Sequence, residues 1–145
     1  MKKRTSSKTS ATKTRKGMVF GVFDCLHKGH QYLLNEASEK CGNLIVVVTP
    51  DSVVKTMKGR SPQKTSPERM SAIKTYNSNF QVVAGDEHIG SWQVFERYPC
   101  DVVYLGHDQQ NIGKVLEAIG VRHVYLKPYK PEKYKTSILI KKSAL

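Results

Sequence analysis

The sequence predicts an α/β fold, a single domain built on a parallel, doubly wound, five-stranded sheet with helices on both faces. Three observations carry this. The chain has 145 residues, the size of one domain with one real core. Five short apolar runs of strand length recur along it, and each is separated from the next by a stretch with helical patterning. Near-continuous apolar strands are what a sheet covered on both faces requires, and strict β-α alternation is the pattern of parallel crossovers.

Taken in order, Met18 to Phe23 (MVFGVF) is the first strand. A helix follows from His30 to Cys41, with Leu33, Leu34 and Ala37 on one side and Gly42 placed as a left-handed cap. Leu44 to Val48 (LIVVV) is the second strand. After a loop, Pro67 to Tyr76 is helical: Pro67 suits the first turn, and Thr65 with Glu68 can form a capping box. Phe80 to Ala84, Asp101 to Leu105 and Val121 to Leu126 supply the remaining strands. Trp92 to Tyr98, Ile112 to Ile119 and Thr136 to Lys142 supply the remaining helices.

Residues Met1 to Gly17 stand apart from this pattern, with seven basic residues, no acidic ones and otherwise only small or polar types apart from the initial methionine. Such a segment buries too little apolar area to offset its ordering entropy, so 1–17 is expected to be a disordered tail and 18–145 the folded domain. The tail accounts for seven of the formal net charge of +12 and leaves +5 on the remainder. It reads first as a solubilising extension and second as a non-specific contact for nucleic acid or an anionic surface. No apolar run approaches the roughly 18 to 20 residues that span a membrane, and the basic N-terminus lacks the apolar segment of a secretory signal. Cys25, Cys41 and Cys100 are odd in number and widely spaced, which argues against a disulfide framework and a structural zinc site. A cytoplasmic location and no membrane partner are expected.

The chemistry concentrates in Gly21 to His30, GVFDCLHKGH, where the first strand turns into the first helix. Helix N-terminal amides and the positive end of the helix dipole suit phosphate. His27 and His30, three residues apart, can face one side of the first turn, and Gly29 between them permits close approach of phosphate to backbone. Imidazoles so placed can donate hydrogen bonds to phosphate oxygens as charge builds during in-line displacement at phosphorus. A single histidine at a helix start is ordinarily a cap or a surface residue; the whole pattern in its strand-turn-helix setting is what favours chemistry.

GVFDCLHKGH resembles the G-x-F-D-x-x-H-x-G-H signature of the cytidylyltransferase-like nucleotidyltransferases, and the resemblance extends from about Met18 to Lys142. It implies a Rossmann-like fold and transfer of a nucleoside monophosphate from a triphosphate to a phosphorylated acceptor, with release of pyrophosphate. By match, His27 and His30 are catalytic, and Val22, Phe23, Lys28 and Gly29 help them hold the triphosphate. The segment DSVVKTMKGRSP (Asp51 to Pro62) is similar to the family's lysine-bearing loop, which makes Lys58 a catalytic phosphate contact, with Lys55 and Arg60 as substitutes. Arg69, in the following E-R helix, would support the loop or the phosphates, or serve as an ion-pair partner. Gly106 and Asp108 fall where the family places the nucleoside, and Thr136 with Ser137 where it places the β- and γ-phosphates. The resemblance supplies no metal ligand beyond Asp24 as a candidate. It does imply a divalent cation such as Mg²⁺ with the triphosphate, and a homodimer.

Within that family the loops are most similar to archaeal-type FAD synthases, which share D-S-x-V-x-x-x-K-G-R-x-P, G-D-E (Gly85 to Glu87) and L-G-x-D-Q (Leu105 to Gln109). This implies ATP and FMN as substrates. CTP with glycerol-3-phosphate is the alternative. However, Gln109 replaces the tryptophan of that subfamily, and YKPEKYKTS lacks its Arg and Gly. Heptose-phosphate adenylyltransferases share the plan. A non-catalytic nucleotide or nucleic-acid binder is the reading from another class, against which both signature histidines are present. The expected sites all follow the carboxyl ends of strands, where ligands bind in open parallel sheets.

Overall fold

β-branched and aromatic runs form the strands here, and their alternating side chains divide the core in two. The computed structural model describes residues 15–88 and 90–127. Within them the chain runs β1 (Lys16–Gly21), α1 (Lys28–Lys40), β2 (Asn43–Val48), α2 (Asp51–Lys58), α3 (Ser66–Tyr76), β3 (Gln81–Ala84), α4 (Val94–Arg97), β4 (Val102–Leu105), α5 (Gln110–Ile119) and β5 (His123–Tyr125). The strands form one five-stranded sheet in the order β3-β2-β1-β4-β5, and every pairing is parallel. On one face Val19 and Val46 pack with Leu34 and Ala37 of α1 and Ile73 of α3. On the other, Met18, Ile45 and Val47 pack with Val94 of α4 and Leu116 of α5. Helices therefore cover both faces, as the apolar runs require.

Several boundaries differ from expectation, each for a tertiary reason. β1 begins at Lys16, inside the expected tail. Its Lys16 amide donates to Asp101 Oδ2 at 2.8 Å and its carbonyl accepts from the Asp101 amide at 2.8 Å, while β2 pairs as far back as Lys16. Gly42 is not a left-handed cap. Its amide donates to the Arg15 carbonyl at 2.9 Å, so the chain passes from an extended Cys41 (φ −139°) straight into β2. Asp51 to Lys58 is a helix rather than a loop, closed by Gly59 at φ 76°, where a left-handed turn favours glycine. The capping box on α3 forms between Thr65 and Glu68. Residues 1–14 and the helix expected from Thr136 to Lys142 lie outside the described residues.

Strand order reverses between β1 and β4, and this sets the site. The two strands pair only at Gly17 with Val102 and Met18 with Val103. Beyond Met18 no β1–β4 register continues to Gly21, the last residue of β1, so a crevice opens at their carboxyl ends. That is where open α/β sheets bind ligands.

Candidate active site

The turn leaving β1 is built around Phe23, which has φ 52° and is almost fully buried. Its ring lies under Gly21, where a Cβ would come within 2.7 Å of it, and meets His30 edge-on with centroids 5.2 Å apart. His27 then caps α1. Its Nδ1 accepts from the Gly29 amide at 3.0 Å and the His30 amide at 3.4 Å, which assigns the proton of the neutral ring to Nε2. His30 is held differently, with Nδ1 2.9 Å from the Cys25 carbonyl. The carbonyl can only accept, so Nδ1 of His30 donates, and its Nε2 can donate only when the ring is an imidazolium. The two rings are stacked, 3.7 Å between centroids and 19° between planes, and both line the crevice.

The loop from Gly59 to Thr65 is fastened to this turn by a charged clamp. Asp24 accepts the Gln63 amide at Oδ2 (2.8 Å) and the Lys64 amide at Oδ1 (2.9 Å). Burial pushes its carboxyl up, but those two amides, with Arg69 and Lys58 nearby, hold it below the ordinary value. Arg69 is the buried charged side chain among the described residues. It donates to Val22 O at 2.7 Å, Lys64 O at 3.0 Å and Asp51 Oδ1 at 2.6 Å. Its hydrogen bond holds the Asp51 carboxyl below the usual range. Arg69 thus stands behind the site with its side chain fully buried and off the crevice wall, paired with Asp51 and holding the loop.

Across the crevice the Gly106–Gln109 turn is fixed by Gln109, whose Oε1 accepts the Gly106 amide and whose Nε2 donates to Phe20 O, both at 2.9 Å. This carboxamide bridges β1 and β4 where their ladder has stopped. Sequence reasoning placed Gln109 only in a motif match, because a bond across 89 positions leaves no local signal. The cavity between these walls holds about 500 Å³. It brings together the expected Val22, Phe23, His27, Gly29, His30, Lys58, Gly106 and Asp108, along with Asp24 and the substitute Arg60. Lys28 and Lys55 are exposed and, like Arg69, are not on its wall; Thr136 and Ser137 lie outside the described residues. Tyr32, Leu33, Gln63 and Lys127 line it without having been singled out from sequence. Of these only Lys127, just past β5, sat where a strand end signals a site.

Among the described residues no three His, Cys, Asp or Glu side chains gather as a metal site. The three cysteines are free, and burial pushes the Cys100 thiol up to about 11. No helix among the described residues is long and apolar enough to cross a membrane.

The model of the cytidylyltransferase-like family matches residues 18–142. The chain belongs to that family. An FAD synthase of Pyrococcus horikoshii is 35% identical over 134 residues, covering 86% of this chain and 89% of the relative. An FAD synthase of Methanobrevibacter smithii is 32% identical over 124 residues, covering 83% and 80%. Among solved structures, the lipopolysaccharide core biosynthesis protein of Thermoplasma volcanium superposes with a TM-score of 0.69 at 26% identity, covering 79% of this chain and 98% of that one. As a cytidylyltransferase-like protein, the chain carries its paired histidines at the start of α1, beside the point where the sheet order reverses.

Proposed function

We propose that the protein is an FMN adenylyltransferase, forming FAD and pyrophosphate from ATP and FMN. The observation that carries it is the stacked His27–His30 pair at the N-terminus of α1, facing a crevice walled by loops that follow different strands. The similarity to FAD synthases over most of both chains supports the choice of nucleotide and acceptor.

A phosphate oxygen of FMN attacks the α-phosphorus of ATP. The new P–O bond forms as the bond from the α-phosphorus to the bridging β-phosphate oxygen breaks, and that electron pair leaves with pyrophosphate. No covalent protein intermediate is required, so catalysis is positioning and charge stabilisation. Nε2–H of His27 and, when the ring is protonated, Nε2–H of His30, whose Nδ1 is held by the Cys25 carbonyl, donate to the α-phosphate oxygens as their charge rises. Lys58 and Arg60 bring positive charge from the β2 side, and Gly106 leaves room beside Asp108 for the nucleoside.

The residues present fit a divalent cation carried by the triphosphate rather than an all-protein cage. Asp24 and Asp108 are the carboxylates on the wall, and Asp24 already accepts two amides. Mg²⁺ typically keeps its waters and takes one or two carboxylates plus substrate phosphates; when bound it would neutralise the triphosphate.

The test is direct. The full chain with ATP, FMN and Mg²⁺ should yield FAD and pyrophosphate in equal amounts. Product only from CTP and glycerol-3-phosphate would replace this reading.

A further inference from the structure

The strand order divides the crevice into two sides. Gly106 and Asp108 follow β4, and Leu126 and Lys127 follow β5, so the nucleotide side lies over β4 and β5. In-line attack requires only that the acceptor lie opposite the leaving pyrophosphate; the wall left for it is the one after β2. Lys58 and Arg60 supply positive charge there for the acceptor's phosphate. What remains is a surface for its planar ring system.

Phe20, at the end of β1, lines the cavity and is the edge of an aromatic trio. Trp92, in the segment after β3, meets Phe20 edge-on with centroids 5.7 Å apart at 87°, and Phe95 meets Phe20 at 5.8 Å and 73°. Trp92 stacks on Phe95 at 6.0 Å and 20°. Phe20 and Phe95 pack against the core beneath α4, but Trp92 is not among the side chains that do. It stays partly exposed with φ 52°, a left-handed conformation that is an outlier for a bulky residue and costs free energy. Gly90 at φ 85° completes the tight turn that presents it. Asp86 anchors the segment, accepting the Val94 amide at 3.0 Å and Arg97 at 2.9 Å. Trp92 is not itself on the cavity wall, but it packs against Phe20, which is, so a partly exposed aromatic surface continues outward from that wall.

We propose that Trp92, together with Phe20, forms the shelf on which the acceptor's isoalloxazine ring lies, making Trp92 a specificity-determining residue for FMN. This rests on the adenylyltransferase reading above. Aromatic stacking of a planar heterocycle is lost on truncation to alanine at a cost of roughly tenfold or more in affinity. Trp92→Ala should therefore raise the KM for FMN by about tenfold or more while leaving the KM for ATP unchanged, and Trp92→Phe should recover most of the loss. Flavin emission, quenched on binding to the wild type, should be quenched less at saturation in Trp92→Ala. Equal changes in both KM values, or no change in either, overturn the shelf. If Trp92→Ala does not fold, Phe20→Leu decides by the same split between FMN and ATP. A wild-type chain that makes no FAD refutes the reaction itself, whereas FAD formation without the split refutes only the shelf.

Discussion

At the scale of single residues, the paired histidines do unequal work. In the proposed reaction His27 serves both as the cap of α1 and as a donor to the α-phosphate, because the same ring accepts two helix amides through Nδ1 and keeps its proton on Nε2. His30 is oriented by the Cys25 carbonyl and the edge of Phe23. Replacing either by alanine should lower kcat by roughly 10²- to 10³-fold, the usual loss when one transition-state donor is removed. The variants should differ in stability. His27→Ala also removes a cap worth about 1 kcal/mol, so it should melt lower, whereas His27→Asn restores a capping oxygen and should melt near the wild type while staying as inactive. Calorimetry beside steady-state kinetics checks this; near-normal turnover in His27→Asn would show that the ring only caps the helix.

At the scale of elements, the clamp joining the β1–α1 turn to α2, α3 and the loop between them decides how the lysine-bearing segment is held. Arg69→Met would leave the part-buried carbonyls of Val22 and Lys64 short of a donor, at up to about 1 kcal/mol each, since water can reach them. It should lower both Tm and turnover. The two aspartates of the clamp make it acid-sensitive. Both carboxyls are held below their ordinary values when folded, so their stabilisation is fully present above the unfolded value, about 3.9. It is lost as pH falls through the folded value. Tm should be flat near neutrality and drop below about pH 4, and the double variant Asp24→Asn, Asp51→Asn should start lower and decline less steeply. An unchanged acid slope in that variant would mean the clamp contributes nothing to stability. The α3 capping box was legible because Thr65 and Glu68 are three apart. The clamp was not, since Asp24 reaches amides 39 and 40 positions away. Asp51 to Lys58 reads as a loop by its resemblance, yet Val53 and Val54 bury against the body of the protein and stabilise it as a helix.

At the scale of the whole molecule, the strand composition made the doubly wound sheet legible, and the crevice-lining motifs after β1, β2 and β4 could be placed because each sits past a strand end. What composition could not show was the strand order, which decides that the segment after β2 faces those after β4 and β5 across one crevice. That order makes a prediction about how substitutions combine. Asp108→Ala, on the β4 side, should raise the KM for ATP; Lys58→Ala, on the β2 side, should raise the KM for FMN at least as much as it lowers turnover. On the proposed reading, each removes a contact to a different substrate from a different wall. Residues without shared partners combine additively in free energy to within about 0.5 kcal/mol, so the double variant should show each KM as in its single variant and a kcat/KM loss near the product of the two. If instead both substitutions raise the same KM, or the double variant is much less impaired than that product, the two residues serve one ligand and the division of the crevice by strand order is wrong.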